Sequence, residues 1–282
     1  MKKGINIWSF SGGTDIASCI ALAKEAGFEG IELALNETGP LSLESSAEEV
    51  RGYRKLADET GIEMTSLASG LYWTYSLTSS EAAKRTKAQD IVKKQLEFAE
   101  ALGVDTILVV PGAVGVDFIP GSEVVPYDAA YEYALEGISK LAADAEAHRV
   151  SIGIENVWNK FLLSPLEMRG FIDSVNSAYV GAYFDVGNVL YSGYPEHWIR
   201  ILGERIKKVH FKDYRREAGG LYGFVDLLAG DVNYPEVVKA LQEIGYDGYV
   251  IGEMIPGYTH HGNQIVFNTS ASMDAILGRT VR

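Results

Sequence analysis

Short apolar runs alternate with amphipathic, helix-forming stretches along the whole chain. The runs are "GINIWS" from Gly4, "GIELAL" from Gly30, "IEMTSL" from Ile62, "DTILVV" from Asp105, "SIGIE" from Ser151, "VGAYFD" from Val180, "IKKVHF" from Ile206 and "GYVIGE" from Gly248. They are often β-branched and show no clean in–out alternation, the pattern of strands buried on both faces. Helical patterns fill the gaps at Asp15 to Ala26, Glu48 to Thr60, Ser79 to Leu102, Asp128 to His148, Pro165 to Val175, Pro195 to Leu202 and Pro235 to Ile244. Ser164 and Asn233 stand where caps are needed, and Gly27, Gly61, Gly103, Gly203 and Gly245 stand where helices end. Those residue types satisfy the unpaired backbone groups at helix termini.

Eight strands with helices after them predict an α/β fold, the (β/α)8 TIM barrel. No linker, low-complexity tract or repeat divides the chain, so residues 1–282 read as a single domain. The alternative, a doubly wound open sheet, would carry a Gly-rich phosphate loop after its first strand. That position reads "WSFSGGTD", without the G-x-G-x-x-G spacing. A final helix, "SASMDAILGR", is expected to close the barrel or pack on a neighbour.

Composition narrows the class. Hydrophobic residues make up 47 % of the 282, enough for a full core. The net charge of −13 disfavours a nucleic-acid partner, because an acidic surface repels phosphate backbones. Cys19 is the only cysteine, so no intrachain disulfide forms, which suits a reducing cytosol. Within "IASCIALAKEAG" it reads as a packed core thiol. The opening "MKKGINIWSFSGG" has two lysines like a signal peptide, but its apolar stretch is short and broken by Asn6 and Ser9. No stretch approaches the ~18 apolar residues that span a bilayer. The expectation is a soluble cytoplasmic protein without a membrane partner.

Four polar residues stand at the ends of apolar runs: Glu155, Asp185, His210 and Glu253. Taken singly, such a carboxylate is usually solvated or caps the next helix, and a lone histidine is often a satisfied core residue. Together they end strands five to eight, neighbours in the barrel wall, and strands about 4.8 Å apart bring their ends to one point. Three carboxylates there repel one another strongly unless a cation sits between them. Carboxylate oxygens with one imidazole favour a single divalent ion, Mn2+ first, with Co2+, Mg2+ or Zn2+ as alternatives. Such an ion polarises a hydroxy-ketone, and Glu155 and Glu253 then read as a pair of acid/bases, one deprotonating a face and the other reprotonating the opposite face.

Other residues have two readings each. Trp8, Trp158 and Phe161 form either an aromatic wall against a sugar or ordinary core packing. Asn156 either orients Glu155 or contacts substrate, against a plain loop hydrogen bond. Glu32 is read as ending strand two and reaching a hydroxyl across the barrel mouth. Lys212 pairs either a substrate phosphate or a ligand carboxylate, and with Asp213 it could equally form a salt bridge between loops. The long segment Tyr214 to Asp231, with Gly219, Gly220 and Gly223, reads as a lid or binding loop. His260 and His261 read as loop residues at the pocket rim.

The stretches "GIENVWNKFLLSPLEM", "FDVGNVL", "GERIKKVHFKD" and "LLAGDVNYPEVVKALQEIGYDGYVIGEM" resemble the xylose-isomerase-like TIM barrels, which include sugar (phosphate) isomerases and epimerases. The resemblance implies one divalent metal on Glu155, Asp185, His210 and Glu253, with the two glutamates as acid/bases. Ketose 3-epimerases of that group place an arginine six residues after the metal histidine, where Arg216 stands. They also place a histidine three residues after the metal aspartate, where this chain has Asn188. Asparagine can hydrogen-bond a substrate oxygen but carries no proton at neutral pH. The expectation is a metal-dependent isomerase or epimerase of a ketose or ketose phosphate, acting through an enediolate. An inosose-dehydratase-like lyase on the same site is the alternative, and an endonuclease and a non-catalytic sugar-binding barrel rank below both. The partner is a small sugar or sugar phosphate, with assembly into a homo-oligomer left open.

Overall fold

Residues 1–280 are described by the computed structural model. The strands are β1 (Lys2–Asn6), β2 (Gly30–Leu35), β3 (Glu63–Ser69), β4 (Thr106–Val109), β5 (Ser151–Glu155), β6 (Val180–Asp185) and β7 (Ile206–Phe211). A short antiparallel hairpin of β8 (Asp213–Tyr214) and β9 (Phe224–Val225) follows, then β10 (Tyr249–Gly252). Strands β1 to β7 and β10 lie side by side, all parallel, and the sheet closes where β10 pairs with β1. This is the expected (β/α)8 barrel. Every position of β2 and β6 is buried, as a sheet covered on both faces demands. Where strands approach most closely only glycine fits: a Cβ on Gly30 would lie 2.4 Å from the Thr65 side chain and 2.7 Å from Tyr249.

The helices are α1 (Ile16–Glu25), α2 (Ala47–Thr60), α3 (Ala82–Leu102), α4 (Tyr127–His148), α5 (Pro165–Val175), α6 (Val186–Val189), α7 (Pro195–Leu202), α8 (Tyr234–Glu243) and α9 (Gln264–Ile276). Their starts follow the sequence signals. Asp15 caps α1, Ser46 and Glu49 form a reciprocal capping box on α2, and Ser164 and Asn233 cap α5 and α8. α2 stops at Gly61, whose φ of 74° is the left-handed conformation that favours glycine.

The last helix closes the barrel rather than standing apart. Lys3 is only 4 % exposed, yet its ammonium lies 2.7 Å from Asp274 and 2.8 Å from the Ser270 hydroxyl on α9. A buried lysine is tolerated because both partners are supplied there. No helix of the described residues is long and apolar enough to cross a membrane.

Candidate metal centre and the cavity above it

Strand order fixes the site. β5, β6, β7 and β10 are consecutive in the wall, and Glu155, Asp185, His210 and Glu253 lie at or just past their carboxyl ends. In the register of β6 with β7, Asp185 faces His210 directly. One ligand atom from each of the four falls within 4.8 Å of every other, and all four residues are buried. From His210 Nδ1 the distances are 3.3 Å to Glu253 Oε2, 3.7 Å to Glu155 Oε1 and 3.9 Å to Asp185 Oδ2.

The donor set fits a divalent cation. Asp185 Oδ2, His210 Nδ1 and Glu253 Oε2 are buried without a hydrogen bond of good geometry. Buried polar atoms are rarely left so, and three of them facing one point, two of them beside the Lys212 ammonium, form a donor set suited to a cation. Three carboxylates and one imidazole suit one hard or borderline ion.

Beneath the imidazole, Glu32 accepts four hydrogen bonds. Its donors are His210 Nε2 at 2.7 Å, the Ser66 hydroxyl at 2.7 Å, Asn6 Nδ2 at 2.5 Å and the Tyr183 hydroxyl. Burial favours the neutral acid, but His210, Tyr183 and Asn6 outweigh it and hold Glu32 below the usual carboxylate range. With Nε2 facing Glu32, the Nδ1 atom faces the three other carboxylates. Burial works against the imidazolium, yet Glu32, Glu253 and Glu155 keep His210 well above its usual range in the ion-free protein.

The remaining first neighbours are Lys212 and two asparagines. The Lys212 ammonium is 3.2 Å from Asp185 Oδ2 and also pairs with Glu253. Burial opposes that charge, but Asp185, Glu253 and Glu155 raise Lys212 above the ordinary lysine range. Burial pushes Glu155 up to about 7, whereas Lys212 and His210 overcome the burial of Glu253 and depress it. Asn156 clamps the end of β6, donating to the Asp185 carbonyl at 2.8 Å and accepting from the Asp185 N–H at 2.9 Å. Asn188 donates to the Asn156 carbonyl at 3.0 Å and accepts Trp158 Nε1–H on its own carbonyl at 2.9 Å.

A cavity of about 1100 Å³ opens over this centre, with Glu155, Glu253, Lys212, Asn188 and Trp158 in its wall. A second, of about 480 Å³, shares Lys212 and Glu253 and runs under the loop after β10 past Asp213, Asp226 and His260. Asp213 stays beside the site but organises the loop after β7: its carboxylate accepts the N–H groups of Tyr214, Leu228, Gly230 and Val232 at 2.8, 2.9, 3.2 and 3.1 Å.

Glu155, Asp185, His210, Glu253, Asn156, Asn188, Trp158 and Lys212 therefore come together around one point. One expectation is corrected in place. Glu32 lies in the middle of β2, opposite Asn6, and is fully buried under His210 rather than reaching across the mouth. Arg216 is exposed; its guanidinium donates to the Leu190 carbonyl at 3.2 Å, lies over the Tyr194 ring and does not line either cavity. Phe161 is buried among Tyr127, Tyr131 and Phe171, so its packing reading holds, while Trp8 borders the cavity. Asn6, Ser66 and Tyr183, which complete the floor with Glu32, were not singled out by sequence. The one available signal was a polar side chain inside a run otherwise reading as buried strand.

Comparison with known proteins agrees with this fold. Residues 20–270 match the family described as "Xylose isomerase-like TIM barrel". The L-ribulose-5-phosphate 3-epimerase UlaE of Salmonella heidelberg (strain SL476) is 24 % identical over 246 residues, covering 83 % of this chain and 80 % of the relative. Among solved structures, a D-psicose 3-epimerase from Clostridium cellulolyticum H10 with D-tagatose superposes with a TM-score of 0.82 at 19 % identity, over 99 % of both chains. Another D-psicose 3-epimerase, crystallised in the presence of D-fructose, gives 0.79 at 22 % identity over 99 % of this chain and 97 % of the other.

Proposed function

The chain belongs to the xylose isomerase-like TIM barrel family, and from that premise we propose that this sugar isomerase/epimerase is a divalent-metal-dependent epimerase of a ketose or ketose phosphate. The observation that carries the reading is the position of two glutamates. Glu155 and Glu253 occupy the outer staves of the four-strand arc, and both face the same cavity. A substrate between them is reached from two sides.

A bound divalent ion supplies the Lewis acidity that polarises the substrate carbonyl. The protein does the rest. One glutamate carboxylate removes the proton from the carbon beside the carbonyl, leaving an enediolate. The other returns a proton to the opposite face, and their roles exchange in the reverse direction. Asn156 and Asn188 hold the Asp185 loop in place, and Glu32 holds the imidazole. We read the ion as Mn2+, because oxygen-rich sets with one imidazole suit it well. The names of the relatives support epimerisation over loss of water.

The test is solvent-deuterium incorporation at a single carbon of a ketose, with no other mass change. Glu155→Gln and Glu253→Gln are expected to remain folded, by circular dichroism, and to lose turnover. Full activity in either variant removes that glutamate from the acid/base pair.

A further inference from the structure

The cavity is larger and more apolar than a ketose phosphate requires. At about 1100 Å³ it passes the upper end of the range of roughly 300–1,000 Å³ that encloses a drug-sized ligand. Away from the metal centre its wall is mostly hydrophobic, interrupted by Ser11, Thr14, Asn36 and Ser69. Trp73, after β3, and Phe118, after β4, meet edge to face with ring centroids 5.3 Å apart. Phe118, Tyr222 and Ile255 stand on the rim exposed by 36, 94 and 45 %. Apolar side chains held in water around a concave wall mark a surface that a ligand covers.

Charge points the same way. Among the described residues the only lysine or arginine lining either cavity is Lys212, which is already paired with Asp185 and Glu253. Arg215 spends its guanidinium on the Ala229 carbonyl at 2.7 Å, and Arg216 turns to Leu190 and Tyr194. In the smaller cavity His260 is accompanied by Asp213 and Asp226. The helix that begins behind Gly12 and Gly13 at the rim is capped by Asp15, whose carboxylate takes the Ser18 N–H. A phosphate dianion is recognised by charge-assisted donors, most often arginine forks or free helix N–H groups. This wall offers aromatic faces and edges instead, which stack on planar apolar groups.

We propose that the substrate is an uncharged hydroxy-ketone sugar carrying an apolar, aromatic substituent, a keto-glycoside, and that Trp73, Phe118 and Tyr222 receive the substituent. This names the substrate class for the acid/base reading above and rests on it. The hydroxy-ketone portion lies at Glu155 and Glu253, and the substituent extends to the rim where a phosphate would otherwise be sought.

The experiment compares three compounds on the full chain loaded with Mn2+. They are 2-phenylethyl β-D-glucoside oxidised to its C3 ring ketone, whose alkoxide is as poor a leaving group from the enediolate as methoxide, the matching methyl glycoside, and L-ribulose 5-phosphate. Deuterium wash-in beside the carbonyl gives kcat/KM, and calorimetry gives Kd. The aryl compound is expected to exchange at least about tenfold faster than the methyl compound, the span a buried apolar group commands, with the phosphate slowest. Phe118→Ala is expected to shrink the aryl-to-methyl ratio toward one. Faster exchange of L-ribulose 5-phosphate overturns the proposal while leaving the acid/base reading intact, as does an aryl-to-methyl ratio within about twofold. If nothing exchanges, the acid/base reading fails and binding decides. Tighter binding of the aryl glycoside than of the phosphate sustains the proposal, and equal or weaker binding ends it.

Discussion

His210 and Glu32 are joined by a 2.7 Å hydrogen bond from the imidazole Nε2, on the side of the ring away from the three ligating carboxylates. The bond fixes the ring and its tautomer, leaving Nδ1 to face the point where a metal ion would be held. Removing the charge of such a partner typically weakens metal binding about 10–100-fold. Glu32→Gln is therefore expected to lower Mn2+ affinity within that span, measured by electron paramagnetic resonance titration. An unchanged Kd would show that Glu32 is only a packing group.

Lys212 occupies the charge that a cation would balance, with its ammonium against Asp185 and Glu253. Replacing it with methionine removes the competitor. Lys212→Met is expected to bind Mn2+ more tightly, on the order of tenfold, because one positive charge no longer repels the ion at short range. The ion-free variant is expected to melt earlier than the ion-free parent, since its carboxylates lose their only nearby lysine. A smaller gap in melting temperature between loaded and ion-free protein, relative to the parent, contradicts this account.

Addition of Mn2+ to ion-free protein is expected to raise the melting temperature with increasing concentration, since an ion that binds only the folded state stabilises it by mass action. Asp185→Asn combined with His210→Gln is expected to abolish that rise. A rise that persists in the double variant places the ion elsewhere.

Asp274 neutralises Lys3 at the closure of the barrel, 2.7 Å away in a buried setting. Asp274→Ala leaves that buried ammonium without a counter-charge, held only by the Ser270 hydroxyl and carbonyl, and is expected to cost about 3–5 kcal/mol in urea unfolding. The companion variant Lys3→Met with Asp274→Leu is expected to recover most of the loss. A single-variant cost under about 1 kcal/mol would mean that water reaches the pair.

Asp213 gathers four backbone N–H groups from Tyr214 to Val232. Asp213→Ala leaves all four without that acceptor, so hydrogen exchange from Leu228 to Val232 is expected to accelerate strongly while β7 stays protected. Exchange unchanged in that segment would assign its order to the neighbouring hairpin.

Much of this was legible in the sequence, and the failures have physical causes. Ser151–Glu155, Val180–Asp185 and Ile206–Phe211 coincide with the runs read from hydrophobicity, because a fully covered strand leaves an unbroken apolar signature. The four ligands stood out because each ended such a run. β1 begins earlier than "GINIWS", at Lys2, since a buried Lys3 is made tolerable by Asp274 and Ser270 from far along the chain. α9 likewise begins at Gln264, before the run that suggested it, because Thr269 and Ser270 are buried there despite their hydroxyls. Glu32 stands third in the six-residue run "GIELAL", so its place inside β2 was legible, but its partners on other strands were not. The floor of Asn6, Ser66 and Tyr183 draws on three separate strands, and only the closed barrel brings them under one carboxylate.

Barrel closure by β10 has a bearing on how the protein is made. Glu253 is the last of the four ligands to leave the ribosome, and its strand pairs with β1, the first. A nascent chain that has released Glu155, Asp185 and His210 is still an open arc with three ligands. Full-strength capture of a metal ion would thus wait until β10 has met β1, and loading with metal would report that the ring is complete.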